Sequence, residues 1–167
     1  MPEGTTFFCG PPGAGKSTLA GYVALRLNRR LRSIDDFVPR GQRLSDAQID
    51  EALMDLICAT RHQDIVELCY HDYMGLLRKL LIPEFSACDK VVVIASLEVC
   101  KARNDTRSSP VPVPYVERAW RSTNSLWEWC NSYQSNKSIL IDTTKASVSD
   151  SVSAALQYFE YSELREI

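Results

Sequence analysis

Two short stretches carry residue types that can do chemistry together. The first is "GPPGAGKST", Gly10 to Thr18, and the second is "LRSIDDFVPRG", Leu31 to Gly41, where Asp35 and Asp36 stand side by side. The first matches G-x-x-x-x-G-K-S, with Gly10, Gly15, Lys16 and Ser17 in the fixed places. Glycines at 13 and 15 let successive backbone N–H groups, with Pro12 and Ala14 between and before them, turn toward one point. A helix starting at Lys16 adds its positive end, so the whole loop suits phosphate oxygens. Lys16 is expected on the β- and γ-phosphates, Ser17 on Mg²⁺, and Thr18 on the α-phosphate side. The chain is therefore expected to bind a nucleoside triphosphate, ATP or another, with Mg²⁺.

A phosphate loop does not say where the phosphate goes. A GTPase carries N-K-x-D to read guanine; here Asn136, Lys137, Ser138 and Ile139 lack the Asp. A motor ATPase carries several acids after an apolar strand, whereas "KVVVIASLE" offers only Glu98. A small kinase fits better. In such an enzyme an acid after the second strand, Asp35 or Asp36, can take the proton of an attacking hydroxyl. Metal ligation, helix capping and plain solvation are the other uses for that pair. A basic pair completes the set: Arg103 and Arg107, four apart, share a helical face at the start of the Ser/Pro-rich "DTRSSPVPVP". The region 100–120 is expected to be a helical lid whose arginines neutralise the transferring phosphoryl group.

These side chains need a scaffold, and the sequence supplies one. "TTFFC", "LRSI", "DIVELCY", "KVVVIASL" and "SILIDTT" read as strands, the fourth apolar enough for a parallel sheet covered on both faces. Helices are expected over "KSTLAGYVALRLN", "LSDAQIDEALMDLICATRH", "LEVCKARN", "YVERAWRSTNSLWEWC" and "SDSVSAALQYF", with a further one from Asp72 through Leu81. Ser45 and Gln48 form a capping box, and Ser147 or Ser149 caps the last helix. Alternating strands and helices imply right-handed βαβ units: a three-layer α/β/α P-loop kinase fold, with a mainly parallel sheet, in a single domain over residues 1–167. The loop around Thr143 to Ala146, Thr144 included, then lies near the adenine. Trp120, Trp127 and Trp129 are expected in helix packing rather than base stacking, and His71 in a structural hydrogen bond.

Composition limits the partners. With 19 Lys+Arg against 21 Asp+Glu the net charge is −2, which gives no basic field for coating nucleic acid. The six cysteines are scattered without a CxxC pair, a pattern of reduced thiols rather than of disulfides or zinc. No apolar run is long enough to span a membrane and no signal sequence opens the chain, so a cytoplasmic protein is expected.

Taken in order, "GPPGAGKSTLA", "SIDDF" with Arg40 nearby, and "RNDTRSSPVPVPYV" resemble the kinase domain of phage-type 5′-polynucleotide kinases. The resemblance runs over nearly the whole chain. It implies Asp35 as general base, Lys16 and Ser17 on phosphates and metal, Arg103 and Arg107 as lid arginines, and Arg40 near the acceptor's 3′ phosphate. Asp36 is left to support its loop or the metal's water shell. Two departures concern the acceptor: Ile34 stands where that family has Arg, and its D-x-T-N signature after strand three is missing. Asp72 or Glu67, in "ELCYHDYM", is the acid available instead. The expected reaction is transfer of the γ-phosphate to a 5′-hydroxyl of a polynucleotide. The alternatives are transfer to a small alcohol (a nucleoside, sugar acid or antibiotic) and a nucleotide-binding regulatory module without transfer.

Overall fold

A computed structural model describes residues 4–38, 45–75, 88–132 and 138–163. Its described strands are β1 (Thr6–Cys9), β2 (Leu31–Ser33), β3 (Ile65–Leu68), β4 (Asp89–Ile94) and β5 (Ser138–Asp142). The described helices are α1 (Lys16–Arg26), α2 (Asp46–Ala59), α3 (Leu97–Asp105), α4 (Val113–Ser132) and α5 (Val148–Glu163). The strands form one sheet in the order β2-β3-β1-β4-β5, and every described pairing is parallel. Among the described residues no helix is long and apolar enough to cross a membrane.

Alternation along each strand divides the core between the two faces of the sheet. Phe7, Val66 and Val92 face one side with Leu53 and Leu56 of α2 and Leu126 of α4. Phe8, Ile65, Val91 and Val93 face the other, against Leu19 and Val23 of α1 and Phe159 of α5. The strands at the centre are buried on both faces, which is why they read as continuous apolar runs. This is the expected three-layer arrangement.

Most boundaries differ from expectation by a few residues, for local reasons. The Ser45 and Gln48 side chains make the capping box at the head of α2. That helix stops at Ala59 rather than running to His62, because the Thr60 backbone turns extended while its hydroxyl bonds back to the Leu56 carbonyl at 2.7 Å. Ser147, not Ser149, caps α5, its hydroxyl accepting the Asp150 N–H at 3.1 Å. The helix α4 starts two residues before the expected Tyr115 and takes Pro114 into its first turn, where a missing N–H costs nothing. Residues 73–75 are helical. The rest of the helix expected from Asp72 through Leu81, and its stop at Pro83, lies outside the described residues.

The connector between α3 and α4 is held at its base. The buried Asn104 amide donates to the Val111 carbonyl at 2.9 Å and accepts the Val111 N–H at 3.1 Å. Residues 106–110 are thereby gathered into a short exposed loop that carries Arg107. Lys101 and Glu117 tie the same two helices with a 2.6 Å ion pair. Asn104→Ala should remove two hydrogen bonds and lower unfolding free energy by about 1–3 kcal/mol, read from a urea transition.

Candidate functional site

The phosphate loop leaves the sheet at Gly10, at the carboxyl end of the central strand β1, the edge where ligands bind in open α/β sheets. Two glycines are dictated by what lies beside them. A side chain on Gly10 would run into the Val93 carbonyl oxygen of β4. One on Gly13 would meet the Cys100 carbonyl of α3, and Gly13 also needs its φ of +81°. The loop is thus pressed between β4 and α3. No side chain caps α1, so the N–H groups of its first turn remain available to an anion.

Lys16 and Ser17 both turn toward Glu67 of β3. The Lys16 Nζ lies 3.3 Å from Glu67 Oε1, with only 6% and 10% of the two side chains exposed. The Ser17 hydroxyl donates to the same oxygen at 2.7 Å. Burial acts to discharge Lys16, but neighbouring Cys69 and Glu67 outweigh it and place the lysine above its ordinary pKa, in spite of Arg107 nearby. Burial also holds the Cys69 thiol protonated. Glu67 is therefore the carboxylate paired with Lys16.

The converging Ser17 hydroxyl and Glu67 carboxylate are hard oxygen donors, the kind Mg²⁺ takes. Among the described residues no three His, Cys, Asp or Glu gather into a metal cage. That suits an ion that draws its other ligands from phosphate and water. Asp72, the other acid considered for this place, is exposed and accepts the Gly75 N–H at 2.7 Å, which is a capping contact.

The two aspartates after β2 part company. Asp36 accepts the Ser33 N–H at 3.0 Å and closes a capping box over a single 3-10 turn, Ile34–Asp36. Asp35 is exposed, and among the described residues no hydrogen bond or ion pair takes its carboxylate. The sheet order sets this acid apart from the phosphate loop: β3 stands between β2 and β1. Two strand spacings separate them, roughly 10 Å. The residue at the end of that intervening strand is Cys69, which feels Lys16 and Glu67 on one side and Asp35 on the other. Tyr115 of α4 lies beside Cys69, and burial raises the Tyr115 pKa. His71 stacks on Tyr70 at 4.9 Å and approaches Tyr115 at 6.0 Å, so this wall of the cleft is aromatic. Arg40 lies outside the described residues.

The lid arginines also separate. Arg103 donates to the Thr143 hydroxyl at 3.0 Å and the Thr143 carbonyl at 2.9 Å, and reaches the Gly13 carbonyl at 3.4 Å. It helps line a cavity of about 250 Å³ together with Gly15, Thr18, Thr143, Val148 and Ser151. These contacts hold Arg103 between the phosphate loop and the end of β5. Arg107 lies near enough for its charge to act against that of Lys16. Thr143, not Thr144, faces the cavity; Thr144 accepts the Ser96 N–H at 2.8 Å and joins the ends of β4 and β5. The three tryptophans serve packing as expected, Trp120 donating to the Ala95 carbonyl at 3.0 Å.

Solved structures with this arrangement are kinases. A gluconokinase from Sinorhizobium meliloti 1021 is 16% identical, with 95% of this chain and 92% of that one aligned at a TM-score of 0.62. The fold is that of P-loop kinases. A shikimate kinase from Acinetobacter baumannii in complex with shikimate is 16% identical over 97% and 96% of the two chains, at 0.65. A deoxyadenosine kinase from M. mycoides with bound dCTP is 15% identical over 98% and 100%, at 0.64. No protein-family model matches the chain, and no curated protein sequence matches it.

Glu67→Gln keeps the shape of the side chain but removes the charge shared by Lys16 and Ser17. It should raise the Mg²⁺ concentration needed for half-maximal nucleotide binding by roughly 10–100-fold, as loss of such a partner does elsewhere. Titrating Mg²⁺ at fixed ATP analogue checks this; an unchanged midpoint would remove Glu67 from the metal site.

Proposed function

We propose that the protein is an ATP-dependent kinase that moves the γ-phosphate to a hydroxyl group of a small molecule. The observation that carries this reading is the pair of groups facing each other across the end of β3. Lys16, Ser17 and Glu67 stand on the nucleotide side, and the exposed Asp35 stands on the other. The roughly 10 Å between their strands accommodates an alcohol in line with a terminal phosphate. The kinases it resembles in fold act, by their names, on gluconate, shikimate and deoxyadenosine, which lends support to a small acceptor.

In this reading the amides of Gly13 to Ser17 and the Lys16 ammonium hold the β- and γ-phosphates, and Arg103 and Thr143 border the base. Ser17 and Glu67 would hold Mg²⁺, which would supply neutralisation of phosphate charge. Asp35 accepts the proton as the acceptor oxygen attacks phosphorus. The bond from the γ-phosphorus to the bridging oxygen breaks, and ADP leaves with that electron pair. Arg107, on the loop gathered by Asn104, offsets negative charge on the phosphoryl group in flight. Asp36 keeps Asp35 in place by closing the turn. Asp72 stays in its cap rather than on the acceptor.

The second reading, a polynucleotide 5′-hydroxyl as acceptor, rests on the R-N-x-x-R and V-P pattern of residues 103–114. Within that pattern Asn104 is occupied with Val111, a loop-closing task that any acceptor allows. Labelled ATP offered with sugar acids, nucleosides, aminoglycosides and 5′-hydroxyl oligonucleotides separates the two. The small-molecule reading predicts transfer that changes little between low and moderate salt. Transfer to strand ends that collapses as salt rises would favour the second reading, and no transfer to any alcohol would sink both. Asp35→Asn should lower kcat by about 10²–10⁴-fold while ATP binding stays within a factor of about two.

A further inference from the structure

Tyr73 is fully buried, and its hydroxyl has three partners. It donates to the Leu68 carbonyl at 2.6 Å and accepts the N–H groups of Gly10 at 3.0 Å and Tyr70 at 3.2 Å. Burial pushes the phenol well above its ordinary pKa, so the donated proton stays in place. The backbone N–H of Tyr73 donates to the Ser122 hydroxyl of α4 at 2.7 Å. These four bonds meet where the chain leaves the sheet. Gly10 is the first residue of the phosphate loop, and Leu68 follows Glu67. In parallel register Cys9 pairs with Leu68, so both strands end at this level. Beyond it the ladder has no further rung for the Gly10 amide, and the phenol supplies one.

We propose that Tyr73 is a positioning residue whose hydroxyl clamps the start of the phosphate loop to the end of β3. It thereby fixes Ser17 against Glu67, and through Ser122 it ties that separation to α4, the helix that follows the lid loop. Its hydroxyl is taken up by three backbone groups, so it acts by positioning. This rests on the kinase reading for the use of Mg²⁺ and ATP, and deepens it by naming what sets the metal-binding distance. A purely space-filling role would be met equally by phenylalanine, which has the same ring and lacks only the hydroxyl.

Tyr73→Phe is the deciding variant, with Mg²⁺-dependent binding of an ATP analogue as readout. The clamp predicts a folded protein whose Mg²⁺ midpoint rises roughly tenfold, with metal-free nucleotide binding changed much less. Tyr158→Phe provides the comparison, since that hydroxyl lies 3.4 Å from Asp89 at the far end of β4 and should leave the midpoint alone. Equal midpoints in wild type and Tyr73→Phe, or equal shifts in both variants, would overturn the inference and leave the kinase reading standing. Failure of the wild-type protein to bind the Mg²⁺–nucleotide would overturn both. Should Tyr73→Phe not fold, amide exchange in the wild-type protein decides. A Gly10 N–H much slower than that of Gly15 supports the clamp, and one equally fast contradicts it.

Discussion

The carboxylate of Glu67 shares one oxygen between the Lys16 ammonium and the Ser17 hydroxyl, nearly out of contact with water. Such a pair is costly to desolvate and stays favourable only while its geometry is held closely. Most of the architecture serves that condition. Parallel pairing places Phe8 opposite Glu67, so the carboxylate lies just below the point where β1 gives way to the phosphate loop. Gly10 lets the loop pass the Val93 carbonyl, and Gly13 lets it lie on the Cys100 carbonyl. If the β1 and β3 register slipped by one residue, Glu67 would turn to the opposite face of the sheet.

The same strand end organises the charges around it. The Lys16 ammonium has the Glu67 carboxylate as its ion-pair partner, and the thiol of Cys69 remains neutral because burial outweighs the pull of Lys16 and Tyr115 toward the thiolate. Between the positive loop and the negative Asp35 there is thus an uncharged sulfur rather than a competing anion. A carboxylate at position 69 would draw Lys16 away from a phosphate and oppose ionisation of Asp35. The neutral residue keeps the two halves of the cleft electrically distinct.

What the sequence disclosed followed distance along the chain. The phosphate loop was legible because its glycines, lysine and serine act within one turn, and the capping boxes of α2 and the Ile34–Asp36 turn are equally local. The inequality of Asp35 and Asp36 also came through, since a short side chain three residues past Ser33 is well placed to cap it. Strand order was not legible, and it is what puts β3 rather than open space between Asp35 and the loop. Glu67 could be set beside Asp72 as a candidate, but only the sheet shows which of them meets Lys16. Arg103 and Arg107 have the spacing of a shared face, yet α3 ends at Asp105, so Arg103 lies on the helix and Arg107 on the loop after it. Tyr73 gave no signal at all, since its partners at Gly10 and Ser122 lie 63 and 49 residues away.

A structure of the protein with Mg²⁺ and a non-hydrolysable ATP analogue tests the central claim most directly, because that claim concerns which groups face each other across β3. The base should occupy the cavity bordered by Arg103 and Thr143, the metal should be bound through Ser17 with Glu67 in its immediate surroundings, and the terminal phosphate should open toward Asp35. A terminal phosphate turned away from Asp35, or a metal bound without Ser17 and Glu67, would contradict the account.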